Sequence, residues 1–373
     1  MIGPLSALIN TTGFIYLTPG MIFMWVIGLV LIFLAIKKEY EPLLLLPIGF
    51  GILLANLPLS GLMTPEHGLL WKFYEYGIHW EIIPPLIFLG IGAFTDFGPL
   101  LANPRLIFLG AGAQAGVYLT FFAAHAMGFN IMEAATIGII GGADGPTTIF
   151  LASKLAPQLL GACAVAAYSY MAMVPIIQPP IMRLMTTEAE RKIRMKKGRR
   201  VTKREKLLFP IVSTFLIILL VPASAPLIAM LMLGNLFREA QVVERLKNTA
   251  QNELMNIVTI FLGLPIGATM NADVFLQPKV LFIFGLGLCA FMVSTATGIL
   301  LAKGMNLFSK DKINPLLGAA GVSAVPMAAR VVHKVGMQAD KKNYLLMYAM
   351  GPNVAGVIGT VIAAGIFVTL LSS

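Results

Sequence analysis

Apolar runs approaching the roughly 20 residues needed to cross a bilayer succeed one another along almost the whole chain. In the first half they cover residues 21–36, 42–57, 82–98, 106–127 and 158–182. In the second half they cover 207–221, 225–236, 257–270, 280–302 and 345–371. Each predicts a membrane helix. Residues 1–20 are apolar but broken by Asn10, Thr11, Thr12 and Gly13. They lack a small-residue cleavage site after a basic start, so 1–19 is predicted as an interfacial segment rather than a signal peptide. Two further stretches, 131–157 and 314–336, are apolar enough for the membrane yet interrupted by Gly and Pro. Broken backbone is tolerated in hydrocarbon only where protein or a water-filled cavity satisfies its polar groups. Both stretches are therefore predicted to be re-entrant hairpins or discontinuous helices.

The pattern repeats. IFLGIGAFTDFGPLLANPR (87–105) is matched by IFLGLPIGATMNADVFLQPK (260–279), GADGPT (142–147) by GVSAVP (321–326), and YMAMVP (170–175) by YAMGP (348–352). The offsets, about 174, 179 and 177, are nearly constant. Residues 20–182 and 207–373 are thus predicted to be two copies of one unit, each with five spans and one hairpin, joined by 183–206. An odd number of crossings per copy makes the copies inverted. The fold class expected is an all-α polytopic membrane protein of two inverted repeats with broken helices, the architecture of secondary transporters.

Composition sharpens this reading. Of 373 residues, 58% are hydrophobic and 12% charged, with a mean hydropathy of +0.84. Soluble domains carry about 45–50% apolar and about 25% charged residues, so a soluble globular enzyme is excluded. The net charge of +10 is concentrated: residues 183–206 hold eleven basic residues against three acids, a net of eight. Membrane proteins keep such loops in the cytoplasm, and anionic lipid is an expected neighbour. Without interleaved aromatics or a base-reading module, nucleic acid is not an expected partner. With this loop inside, Lys37, Lys38, Arg105, Lys303, Lys310, Lys312, Lys341 and Lys342 fall inside too, and the acidic 61–81 loop falls outside. Lys154 and Lys279 fit neither side well. Cys163 and Cys289 sit in apolar runs without metal-ligand spacing and are expected as core filler.

Candidate chemistry lies in the breaks. Asp144, in GGADGPTT, is a carboxylate at membrane depth, where it costs about 2.5–3.5 kcal/mol on insertion scales. Such a group binds a cation or relays a proton; capping the half-helix that follows is a second reading, compatible with the first. Flanking glycines expose carbonyls, and Thr147 and Thr148 add hydroxyls, an all-oxygen setting that suits a hard cation such as Na⁺. The second hairpin offers Asn314, Gly318, Gly321, Ser323 and Arg330. Arg330 could neutralise Asp144, capture an anionic substrate, or snorkel to headgroups. Asn353 falls at the Pro352 break of the last span, where its amide can coordinate a cation or pack. Tyr170 in the matching span is a cation ligand, a proton relay or packing. There is no P-loop, HExxH or serine elbow, and Met195–Lys196 does not resemble a biotinyl-lysine hairpin, so any biotin comes from another chain.

GGADGPTTIF, AYSYMAMVPIIQPPIMR, ERKIRM, NPLLGAAGVSAVPMAARV and AMGPNVAGVIG resemble the membrane β subunit of the sodium-pumping biotin-dependent decarboxylases, which act on oxaloacetate, methylmalonyl-CoA or glutaconyl-CoA. The resemblance covers about residues 39–365. It implies a multi-pass subunit of a bacterial or archaeal plasma membrane that decarboxylates carboxybiotin, moves Na⁺ outward and consumes a proton from outside. It implies as partners a biotin carrier, a carboxyltransferase subunit and a small single-span membrane subunit, in a homo-oligomer. The family's functional positions fall on Asp144, Tyr170, Asn314, Gly318, Ser323, Arg330 and Asn353. Of these, Arg330, Tyr170 and Asp144 are expected in catalysis, Arg330 to bind carboxybiotin, and Asp144, Asn314, Gly318, Ser323, Asn353 and Tyr170 to hold Na⁺. The loop after Ser60 is shorter than in oxaloacetate-type members, which favours the acyl-CoA enzymes. The rival expectation is a plain Na⁺-coupled or anion transporter without chemistry.

Overall fold

Helix follows helix through residues 11–372, which are the residues the computed structural model describes; residues 1–10 of the expected interfacial segment lie outside them. The principal helices of the first half are α1 (Pro19–Lys38), α2 (Pro42–Ala55), α3 (Ile83–Phe94), α4 (Ile107–Ala126), α5 (Ile131–Ile139), α6 (Gly145–Leu155) and α7 (Leu160–Met185). Those of the second half are α8 (Lys203–Leu220), α9 (Ala225–Ala240), α10 (Met255–Ala268), α11 (Pro278–Phe308), α12 (Leu316–Ala319), α13 (Met327–Ala339) and α14 (Leu346–Leu371). No strand occurs among the described residues.

Every predicted span is helical, but they are not equal. Five helices are long and apolar enough to cross a membrane alone, namely α1, α11, α14, Pro104–Ala126 and Pro157–Met185. The pair Leu69–His79 and Ile83–Phe94, bent by 65°, makes a sixth if taken as one span. Helix α2, at 14 residues, is about 21 Å long at 1.5 Å per residue, short of the hydrocarbon thickness. Local signals set the ends. Pro19 opens α1 beneath Thr18, whose hydroxyl accepts the Met21 N–H at 3.3 Å, and Lys37 and Lys38 close it at the negative end of its dipole. Thr202 and Glu205 form a capping box at the start of α8.

The helices pack in two groups. In one, α3 crosses α9, α2 crosses α10, and α1 and α8 flank α2 and α9. Small residues allow these crossings: a methyl on Gly92 would strike the Leu231 carbonyl, one on Gly234 that of Leu89, and Gly51 and Gly267 meet likewise between α2 and α10. In the other group α4 packs on α11 and α14, α7 packs on α11, and the two broken segments lie among them. Burial follows this division, reaching 67% of the apolar window in the α7 span against 17% in α1. The outward side chains of α1, among them Phe23, Val26, Leu29 and Phe33, form an apolar surface suited to lipid. Cys163 is buried as expected, whereas Cys289 is exposed on the outer side of α11, because the apolar run containing it faces lipid as well as core.

Candidate functional site

Hairpin one is α5, a 3-10 turn at Ile140–Gly142, and α6. Asn130 and Glu133 cap α5 reciprocally. At the tip Ala143 adopts the left-handed region at φ 51°, which turns the chain so that Asp144 can cap α6. Asp144 Oδ1 accepts the Thr147 N–H at 3.0 Å, and the Thr148 hydroxyl donates to the Asp144 carbonyl at 2.8 Å. The capping reading of Asp144 is therefore correct, yet it occupies one carboxylate oxygen with one backbone N–H. Asp144 is 4% exposed, and no Lys, Arg or His pairs with it among the described residues.

Hairpin two is less regular. One turn of helix, α12, gives way to an unwound stretch through Ser323 before α13 begins. Its tip meets that of hairpin one: the Ser323 N–H donates to the Gly142 carbonyl at 2.8 Å. The unwound carbonyls are held by Asn353 of α14, whose Nδ2 donates to Val322 at 2.7 Å and Ala320 at 3.1 Å. The Asn353 Oδ1 that remains is buried without a hydrogen-bond partner, as is the hydroxyl of Thr147. The Ser323 hydroxyl lies 2.6 Å from that of Thr360, which in turn lies 3.3 Å from Gln114 Oε1 on α4. Gln114 and Thr360 were not singled out in the sequence, since neither stands at a break; their signal is a polar residue within a long apolar helix.

The structure thus joins the two hairpin tips through Ser323 and Gly142, two residues before Asp144, with Asn353 holding the tip of hairpin two, and distributes the other four. Asn314 lies at the mouth of hairpin two, with its Nδ2 donating to the carbonyls of Arg191 and Ile193 at 3.0 and 2.8 Å and its Oδ1 accepting the Leu316 N–H at 3.0 Å. Gly318 packs backbone to backbone on Gly298 of α11, leaving no room for a side chain. The Tyr170 hydroxyl donates to the Phe284 carbonyl on α11. Arg330, about one turn into α13, is exposed, and among the described residues no salt bridge joins it to Asp144 or any other carboxylate. Across from it stands the α1–α2 turn: burial pushes the Glu41 carboxyl above its ordinary range, and the charge of Arg330 draws it back.

The mouths of the two hairpins have different neighbours. At the mouth of hairpin one, Glu133 pairs with Lys279 at 2.7 Å and Lys154 with Glu81 at 2.7 Å. Both lysines that fitted neither side thereby find acidic partners, Lys154 one at the end of the 61–81 segment and Lys279 one in the first turn of α5. At the mouth of hairpin two lies the basic segment, where Arg183 donates to Gln338 at 2.9 Å and Arg194 to Asp340 at 2.8 Å, holding the Asp340 carboxyl below its usual range. A cavity of about 320 Å³ runs between α7 and α13, lined by Pro175, Pro179, Arg183, Lys334 and Gln338.

Apolar helices that enclose a bare carboxylate at the meeting of two broken segments define an ion-handling membrane protein. The profile of the Na⁺-transporting oxaloacetate decarboxylase beta subunit matches residues 20–371. The chain is 58% identical to the methylmalonyl-CoA decarboxylase subunit beta of Propionigenium modestum, with 97% of each chain covered. It is 56% identical to the glutaconyl-CoA decarboxylase subunit beta of Acidaminococcus fermentans, over 98% of this chain and 97% of that one. With the oxaloacetate decarboxylase beta chain of Klebsiella pneumoniae the identity is 52%, over 97% and 98%. The chain belongs to the β-subunit family of the bacterial Na⁺-transporting decarboxylases, multi-span membrane subunits that couple decarboxylation to Na⁺ transport.

Proposed function

We propose that this chain decarboxylates carboxybiotin delivered on a partner's biotin carrier and couples the release of CO₂ to outward movement of Na⁺. Breaking the N–CO₂ bond leaves a ring nitrogen that takes up a proton, supplied from the outer side. The observation that carries this reading is the junction of the two hairpins, where Asp144 meets no protein cation and lies beside the Ser323–Gly142 contact. Na⁺ is held there by Asp144, Ser323 and Asn353. Asn314 and Gly318 set the shape of hairpin two, Tyr170 ties α7 to α11, and Arg330 takes the carboxylate of carboxybiotin from the α7–α13 cavity. Arg330 itself does not line that cavity; its neighbour Val331 does, together with the basic Arg183 and Lys334, which suit an anion.

In the proposed architecture 20–182 and 207–373 are inverted repeats, and 183–206 is the cytoplasmic loop between them. Corresponding contacts support it. The crossing of α3 with α9 has its counterpart in α10 with α2. Asn235 Nδ2 donates to the Thr95 carbonyl at 2.9 Å, and Asn56 Nδ2 to the Met270 carbonyl at 2.9 Å, each closing the equivalent helix of the other half. Asp96 caps the Gly98 N–H at 2.8 Å as Asn271 caps that of Val274 at 2.9 Å.

The carboxyltransferase partner chooses the acid, and chain length supports an acyl-CoA. The alignment with the oxaloacetate chain runs over 422 positions, against 384 and 367 for the methylmalonyl-CoA and glutaconyl-CoA chains and 373 residues here. The test is Asp144→Asn in the complex reconstituted into vesicles. Decarboxylation and Na⁺ flux should both fall at least about a hundredfold, because removing the only formal charge leaves a desolvated cation uncompensated. Retained Na⁺-dependent turnover would overturn the assignment.

A further inference from the structure

One hydroxyl at the junction is unaccounted for. Tyr168 heads the fully buried side chains of the protein by size, at 1% exposed. A methyl on Gly145 would overlap its ring at Cε1 and Cζ, so the hydroxyl end of the ring lies against the residue that follows Asp144. Its Oη has no hydrogen-bond partner, although leaving a buried hydroxyl unpaired costs about 1–3 kcal/mol. Tyr170 differs in both respects. Two residues on, it points about 200° around α7, and its hydroxyl is engaged by the Phe284 carbonyl. The other polar atoms left without partners in hairpin one and α14 at this junction are also oxygens, Thr147 Oγ1 and Asn353 Oδ1.

Buried oxygens without donors, grouped about one carboxylate, are the donor set of a hard cation. We infer that the Tyr168 hydroxyl is a neutral oxygen ligand of the Na⁺ at Asp144, with Thr147 Oγ1 beside it. This rests on the cation site proposed above and adds a residue to it. The phenol suits the task because its ring is fixed by packing against Gly145, so its oxygen is positioned before the ion arrives.

Tyr168→Phe removes that oxygen and keeps the ring. In the purified complex, the Na⁺ concentration giving half-protection against proteolysis, and that giving half-maximal decarboxylation, should both rise about tenfold, with the maximal rate within about threefold of the parent. Thermal unfolding in Na⁺-free buffer should be unchanged or later, since an unpaired polar atom has gone. The ultraviolet difference spectrum on adding Na⁺ should carry a tyrosine perturbation in the parent and in Tyr170→Phe and lose it in Tyr168→Phe. An unchanged Na⁺ requirement, or a perturbation that survives in Tyr168→Phe, would overturn the inference. Asp144→Asn separates the two levels. If it keeps Na⁺ protection, the site itself is misplaced; if it loses protection while Tyr168→Phe keeps it, only the Tyr168 ligand is refuted.

Discussion

Hairpin one brings a carboxylate to the junction and buries it, while hairpin two carries an exposed guanidinium about one turn into α13, away from the junction. The first is two regular helices about a tight turn, with Asp144 capping the second. The second is largely unwound at its tip, with its carbonyls held by the side chain of Asn353 from α14. The first is tied at its mouth by the Glu133–Lys279 and Lys154–Glu81 pairs. The mouth of the second adjoins the basic segment and the cavity between α7 and α13. The two hairpins thus carry opposite charges. A buried carboxylate with no cationic partner among the described residues favours a cation, and an exposed arginine outside the salt bridges, near only the Glu41 carboxyl, favours an anion. In the proposed cycle, decarboxylation removes the anion held by Arg330 as CO₂ leaves.

The contrast is sharpened most by Arg330. A guanidinium binds a carboxylate through two parallel hydrogen bonds that an ammonium cannot reproduce. Both Arg330→Lys and Arg330→Gln should lower carboxybiotin decarboxylation about a hundredfold while leaving Na⁺ protection against proteolysis in place. Full activity in Arg330→Lys would return the residue to the membrane surface. Ser323→Ala and Asn353→Ala should have a smaller effect, since the carboxylate remains. Each is expected to raise the Na⁺ needed for half-maximal rate about tenfold, about 1.4 kcal/mol, with less change in maximal rate. A fall in rate alone, at unchanged Na⁺ requirement, would contradict their place beside the ion. The smallest effect is expected from Lys154→Met at the mouth of hairpin one. Its pair with Glu81 is partly exposed and such pairs contribute about 0–1 kcal/mol, so turnover should change by no more than about threefold. A tenfold change in vesicle assays would make this face a working part of the cycle.

Much of this was legible in the sequence. Hydropathy marked every principal helix, and Gly and Pro marked both breaks, because a helix in lipid cannot lose its backbone hydrogen bonds silently. The matched segments 87–105 and 260–279 each carry a short polar residue, Asp96 and Asn271, that accepts a backbone N–H just after it. What could not be read was direction. Tyr168 and Tyr170 lie two residues apart in one apolar run, and only the packing of Gly145 and Phe284 distinguishes which hydroxyl faces Asp144. Lys154 and Lys279 fitted neither side because their partners, Glu81 and Glu133, are distant in sequence. The contacts of the Asn314 amide with the basic segment span over a hundred residues and could not be read from its place in the hairpin.

The central claim is that the ion sits at the meeting of the hairpins on Asp144, independently of the chemistry at Arg330. Equilibrium binding of radioactive Na⁺ to the detergent-purified complex, without any decarboxylation substrate, tests it directly. Saturable binding should be present in the parent and in Arg330→Gln and absent in Asp144→Asn. Binding that persists unchanged in Asp144→Asn would contradict the account.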